Sequence, residues 1–231
     1  RVGPKPRQTG GLVAERLFID PAEVRNPPRQ EFGGYTGGDI KYKDINGDGK
    51  IDNLDFVPIG HPVTPEIIYG FGLSMTYKSI DFNFFFQGLA RQSFWLNQDN
   101  VTPFIDGDGG DGRVGQNAVL QAIASDYWSE TNRNSYAFWP RLANYNIDNN
   151  RQTSTWFMQN GSFLRLKSVD IGYSFPASLL KRFKVADLRL YFSGSNLLHW
   201  SAFKLWDPEM AGSGFDYPLQ RVYNVGFNIG L

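Results

Sequence analysis

Residues 44–55 read Asp-Ile-Asn-Gly-Asp-Gly-Lys-Ile-Asp-Asn-Leu-Asp, bringing four carboxylates and two glycines into one short stretch. Asp44, Asn46 and Asp48 fall at positions 1, 3 and 5 of a loop that reverses at Gly49, position 6. That is the spacing by which a calcium loop wraps oxygen ligands around a hard cation. Lys50 would offer its backbone carbonyl at position 7, Asp52 would act through a water at position 9, and Asp55 would close the loop at position 12. An EF-hand has Glu at that last position, whose longer arm reaches the ion with both oxygens, so Asp55 implies a smaller or looser site. Neither flank is helical. Gly37-Gly38 lies upstream and Val57-Pro58-Ile59-Gly60-His61-Pro62 follows, so the loop leads into a strand. Clustered carboxylates repel unless a cation neutralises them, and a structural Ca2+ is expected here. An Asx-rich surface turn without an ion is the alternative.

Other chemistry is sparse. Asp106, Asp108 and Asp111 in "DGDGGDG" can hold a second cation or simply form a glycine-rich loop. Only His61 and His199 could serve as an imidazole base, and neither sits in a catalytic pattern. Asp126, Glu130 and Asp148 form no spaced acid/base pair. The chain has no cysteine, which excludes disulfides, thiolate metal sites and a Cys nucleophile. Acidic and basic residues balance at 23 each, without the basic stripe a nucleic-acid surface needs. No enzyme activity is expected.

The elements that must carry the acidic loop are strands. Between Ile67 and Tyr77, Ile67, Tyr69, Phe71, Leu73, Met75 and Tyr77 alternate with Ile68, Gly70, Gly72, Ser74 and Thr76, a period of two with one large apolar face. After a turn at Lys78-Ser79, Ile80, Phe82, Phe84 and Phe86 alternate with Asp81, Asn83, Phe85 and Gln87. Residues 163–175 change parity between Leu164/Leu166 and Val169/Ile171/Tyr173/Phe175, which a bulge near Lys167-Ser168 reconciles. Leu188, Leu190 and Phe192 alternate with Arg189, Tyr191, Ser193 and Ser195, and a final strand sets Tyr223, Val225, Phe227, Ile229 and Leu231 against Asn224, Gly226, Asn228 and Gly230. Residues 117–128 have helical spacing at Val119, Ile123 and Tyr127, which predicts a loop helix. An all-β chain with 16% aromatics results.

A sandwich and a transmembrane antiparallel β-barrel both produce such alternation. Strands of about 9–11 residues with aromatic girdles favour the barrel. So does the asymmetry of short turns at 78–79 and 176–184 against long loops at 93–160 and 199–217. The other architecture is a secreted calcium-stabilised β-sandwich that binds carbohydrate.

The run "GDIKYKDINGDGKIDNLDFVPIGHPVTPEIIYGFGLSMTYKSIDFNFFFQG" resembles the C-terminal region of SusC/RagA-type TonB-dependent outer-membrane transporters. "YWSETNRNSYAFWPRL", "NGSFLRLKSVDIGYSFP", "LRLYFSGSNLLHW", "LWDPE" and "YPLQRVYNVGFNIGL" fit the same family in family order. The resemblance implies a barrel of about 22 strands with a plugged lumen, in the bacterial outer membrane. It implies a SusD-like surface lipoprotein that delivers glycans or peptides, and energy from TonB through a segment not in this chain. Residues 1–64 would be an extracellular loop region, and 65–231 the last five or six barrel strands with their long extracellular loops. The opening "RVGPKPRQTGG" reads as mid-protein, so a fragment is expected. Asn224, Gly226, Ile229 and Leu231 resemble the C-terminal barrel-assembly signal, although such barrels usually end on an aromatic residue. Trp95, Trp139, Trp156 and Trp206 can stack on sugars, or anchor the girdle and pack loops.

Overall fold

The computed structural model describes residues 8–26, 28–104, 119–214 and 216–230. Asp106, Asp108, Asp111 and Leu231 lie outside the described residues. The chain divides into two compact units, one of residues 1–64, 93–159 and 211–215, the other of 65–92, 160–210 and 216–231.

The second unit is one sheet of five strands: β1 (Ile67–Tyr77), β2 (Ile80–Ala90), β3 (Phe163–Ser174), β4 (Asp187–Ser201) and β5 (Val222–Gly230). Each pairs antiparallel with its neighbour in chain order, an up-and-down meander with β1 and β5 at open edges. The register brings the apolar parities of all five strands onto one face. Phe71 lies opposite Phe86, Leu73 opposite Phe84, Ile171 opposite both Phe82 and Phe192, and Phe192 opposite Val225. A one-residue slip in any pair would turn one strand's apolar set to the other face. The parity change in β3 is a register shift between Leu166 and Ser168 against both neighbours, and Asn196 in β4 takes a left-handed φ of 55° on the facing stretch. Leu166 thereby rejoins the face of Phe86 and Leu198.

The two ends of the sheet differ. At one, β1 and β2 join through Lys78-Ser79, and β3 and β4 through a short helix at Ala177–Leu180 followed by a single 3-10 turn. From the other leave the segment before β1, the long connection from β2 to β3, and the connection from β4 to β5.

Small strand pairs build the first unit: Gly10–Gly11 with Val57–Pro58, Ala14–Leu17 with Ile40–Tyr42, Arg29–Gln30 parallel to Lys50–Ile51, and Ser93–Trp95 with the strand Met158–Asn160 at the unit's boundary. Its core gathers Leu12, Leu17, Phe18, Ile40, Tyr42, Ile51, Phe94, Ile123, Trp128, Trp139 and Phe157, all buried. So many short elements cannot satisfy their own backbone, and buried amides complete the hydrogen bonding. Gln30 Nε2 donates to Ile40 O and to Asn149 Oδ1 (3.0 and 2.6 Å), and Gln30 Oε1 accepts from Tyr42 N (2.6 Å). Asn149 Nδ2 donates to Ile40 O and Tyr42 Oη donates to Asn149 O. Asn150 Oδ1 accepts from Ile40 N, and its Nδ2 donates to Asp39, which Arg141 approaches at 2.9 Å. Residues more than a hundred positions apart are thus fastened together.

The expected helix over 117–128 is a single turn at Gln121–Ser125 among the described residues. It stops because Tyr127 bridges to Trp139, while the Asp126 carboxylate accepts from Phe138 N at 3.0 Å.

Candidate functional site

The acidic loop is folded by its own side chains. Asp44 accepts from Gly47 N (2.6 Å) and Gly49 N (2.9 Å), Asn46 Oδ1 from Asp48 N (2.9 Å), and Asp48 from Lys50 N (2.9 Å). These successive Asx turns carry the chain to Gly49, whose φ of +84° is the left-handed conformation that position 6 requires. Asp52 caps a 3-10 turn by accepting from Leu54 N. Asp55 is fully buried, and its oxygens accept from the Ile45, Asn46 and Asp52 N–H groups at 2.8, 3.2 and 3.0 Å. Asp55 therefore ties the two ends of the loop together, while Asp44 and Asp48 stay at its exposed rim. Among the described residues, no three acidic or imidazole side chains are gathered as a metal cage is.

A second charged group in the first unit braces its opening segment. Arg16 and Lys41 both reach Glu23, which also accepts from Ile19 N. Burial alone would raise the Glu23 carboxyl, but these donors outweigh it and hold it at about 2. Burial pushes Asp39 up, against the pull of Arg141 and its hydrogen-bond donors.

In the sheet, the polar face holds a triad that sequence reasoning did not single out. Arg189 on β4 reaches across Gly172 to Asp81 on β2, and also donates to Asp170 on β3 at 2.8 Å. Gly172 leaves room for the guanidinium and Gly226 for the Tyr191 ring, since a Cβ at either would collide. A second link holds the β4–β5 connection. Arg165, 2% exposed, donates to both oxygens of Asp207 at 2.5 and 2.7 Å, with Glu209 at 3.0 Å. His199, opposite Arg165 in the register, joins no catalytic arrangement. The only advance signal for either link was a charged residue in an otherwise alternating strand.

The opposite face is apolar and open. Phe71, Leu73, Met75, Val225 and Phe227 are exposed, Val225 by 77% and Phe227 by 66%. Asn224 and Gly226 fall on the polar face and Ile229 on the apolar one. Of the four tryptophans singled out in the sequence, Trp139 is buried against Phe157, Trp206 packs edge-on to Phe203, Trp95 Nε1 donates to Ser154 O, and Trp156 is half-buried. Trp128, which the sequence did not mark, is buried as well.

A meander of long strands, apolar and exposed on one face and polar with buried charge on the other, has the pattern of a membrane β-barrel wall. No family model matches the chain. It is 30% identical over 234 residues to TonB-dependent receptor P26 of Formosa agariphila, covering 91% of this chain and 21% of that protein. It is 32% identical over 207 residues to TonB-dependent receptor P3 of the same organism, covering 84% and 19%. Among solved structures, a chain of the RagAB peptide importer in its open-open state matches with a TM-score of 0.64 and 19% identity, over 97% of this chain and 22% of that one. A chain of the RagAB peptide transporter matches with a TM-score of 0.65 and 19% identity, over 98% and 24%. The chain resembles TonB-dependent receptors along nearly its whole length, and spans about a fifth of the length of the curated relatives it matches. Those relatives are named as receptors, and the solved structures as a peptide importer or transporter.

Proposed function

We propose that this chain is the C-terminal part of the barrel of a TonB-dependent outer-membrane importer of about 22 strands, which takes up glycans or peptides with a SusD-like surface lipoprotein. The observation that carries the reading is the sheet, whose register collects the apolar residues of five strands on one exposed face. A secreted sandwich would cover that face with a second sheet. The open edges of β1 and β5 are where the rest of the barrel would pair, since closure removes exposed strand edges. The three long connections leave from one end of the sheet, the arrangement of extracellular loops opposite short periplasmic turns. Residues 44–55, 93–160 and 199–217 then face outside, where a lipoprotein and its cargo arrive. The family names of the relatives support TonB as the energy source. The RagAB likeness supports an importer barrel, leaving the cargo as glycan or peptide.

The test is topological. Single cysteines at Ser79 and Ser213 of the full-length protein, treated in intact cells with an impermeant thiol reagent, should label at Ser213 and not at Ser79. Labelling at Ser79 alone would invert the topology, and a protein that remained soluble without detergent would restore the sandwich.

The loop at 44–55 belongs to the same reading as a structural calcium site. Asp44, Asn46, Asp48, the Lys50 carbonyl and Asp55 would supply oxygens at about 2.3–2.6 Å, with Asp52 acting through water. The run of Asx turns and the left-handed Gly49 support it, because the Asp44 oxygens, Asp48 Oδ1 and Asp55 Oδ2 each accept one backbone bond and keep a second lone pair. Calcium should slow proteolysis within 44–55, and Asp48→Ala should abolish that protection while leaving the barrel folded. Equal cleavage with calcium and with chelator would leave the loop as an ion-free Asx turn.

A further inference from the structure

The short-turn end of the sheet carries exposed positive charge, Lys78 with its ammonium 5.2 Å over the Tyr77 ring. Lys78 forms the β1–β2 turn at a left-handed φ of 54°, and Lys184 closes the β3–β4 connection at 55°. Lys181 and Arg182 lie in the turn just before it. All four are exposed, and among the described residues none forms an ion pair. Ser174 N donates to Ser79 O at 2.8 Å, so the first turn is tied to the end of β3, where the second connection begins. Of the acids at this end, Asp81 and Asp170 are turned to the polar face and held by Arg189, leaving Asp187 as the exposed one.

Two apolar features accompany these cations. The helix Ala177–Leu180 buries Leu180 and exposes Leu179 by 57%, immediately before the Lys-Arg pair. On the apolar face, the two rows of side chains next to the turns enclose a groove of about 300 Å³ lined by Ile80, Ile171, Tyr173, Leu190, Phe192 and Val225. An exposed leucine next to cations in the chain, with an apolar groove at the same end of the sheet, matches the boundary between hydrocarbon and headgroups.

We propose that this end of the sheet binds an anionic glycerophospholipid, with its phosphate among Lys78, Lys181, Arg182 and Lys184 and the upper part of an acyl chain in the groove. The inference rests on the sheet being a barrel wall. The occupant is a lipid of the surrounding leaflet and not free phosphate, because the groove beside the charges is apolar and opens on the face that meets hydrocarbon. The lipid would fix the height of the barrel at the short-turn side.

The test uses the full-length protein in detergent mixed with phosphatidylglycerol or phosphatidylcholine, and native mass spectrometry to count retained lipid. Wild type should retain phosphatidylglycerol in preference. Replacing Lys78, Lys181, Arg182 or Lys184 by Gln should lower retention about fivefold for each charge removed. Lys204→Gln, in the β4–β5 connection, should change nothing. Equal retention of both lipids, unchanged retention in the fourfold Gln variant, or displacement by millimolar inorganic phosphate would overturn the proposal. Heat-modifiable migration on gels reports the barrel separately. A folded barrel without lipid preference refutes this inference alone, whereas a protein that is never a barrel refutes the reading beneath it.

Discussion

Replacing Phe227 by Arg puts the two faces of β5 to a direct test. Phe227 lies near the middle of β5, opposite Leu190, on the apolar face with two-thirds of its surface exposed. If that face meets lipid, the substitution places a guanidinium close to the depth where Arg costs about 2–4 kcal/mol in a transmembrane barrel. That cost compares with a whole-domain stability of roughly 5–15 kcal/mol. The matched control must sit on the same strand and point the other way. Asn228 does, but the register pairs it with Arg189, where a second cation would repel. Asn224, opposite Ser193 with Nδ2 3.5 Å from its Oγ, has no charged cross-strand partner and is the cleaner choice. The assay is the fraction of full-length protein recovered as folded barrel in the outer membrane, read as heat-modifiable migration, with urea titration of the purified protein for the energy. Phe227→Arg should lower both, by about 2–4 kcal/mol in the titration, and Asn224→Arg should stay within about 0.5 kcal/mol of wild type. Equal behaviour of the two variants would refute the assignment of the apolar face to lipid.

Three further outcomes are expected. Glu23 has its carboxyl held at about 2 against an ordinary 4.5, so it binds fewer protons folded than unfolded across that interval; its contribution is complete above pH 4.5 and is lost as pH falls towards 2. Glu23→Gln should flatten the acid unfolding of the first unit across that window, followed by tryptophan fluorescence, and an unchanged profile would mean the Arg16 and Lys41 contacts do not persist in solution. Asn149→Ala should destabilise the first unit by about 1–3 kcal/mol, because it takes the Asn149 acceptor from the buried Gln30 amide and one of two side-chain donors from Ile40 O, and native-state proteolysis near residues 40 and 150 should accelerate together. Arg165→Met leaves Asp207 and Glu209 without their cation and should cost about 3–5 kcal/mol, part of which Arg165→Met with Asp207→Asn should recover; equal loss in both variants would count against the ion pair.

The sheet was legible in the sequence because its code is local. Period-two alternation marks a strand wherever one face is apolar and the other polar, and a change of parity marks a bulge. Both ends of β1, the Lys78-Ser79 turn and the register shift near Ser168 follow from residues within a few positions of each other. The loop unit obeys a different rule. Its strands are two to four residues long, too short to show a period, and its stability lies in contacts such as Gln30 to Asn149 that no local pattern announces. The clustered amides of "YNIDNNRQ" were the one available sign, and clustered amides serve surface turns equally well. The helix over 117–128 was over-read for a related reason. Its apolar spacing is real, but Tyr127 is claimed by a bridge to Trp139, and tertiary pairing overrides a weak propensity.

The acidic loop shows the same division within twelve residues. Spacing located the turn at Gly49 and the rim carboxylates at Asp44 and Asp48, because Asx turns act over two to five positions. Spacing also cast Asp55 as a ligand at the mouth of the loop, whereas the structure places it beneath the loop as acceptor for three backbone N–H groups. The two roles are compatible only if a carboxylate with three donors can still turn a lone pair to an ion. Asp55 therefore governs the loop in either state, and Asp48, whose backbone bond is a local one to Lys50 N at the rim, reports chiefly on the ion. Without calcium, Asp55→Ala should open the loop to protease while Asp48→Ala leaves its buried closure intact. If both variants were cleaved alike in chelator, the loop would owe its shape to the rim, and the buried carboxylate would not be what holds it closed.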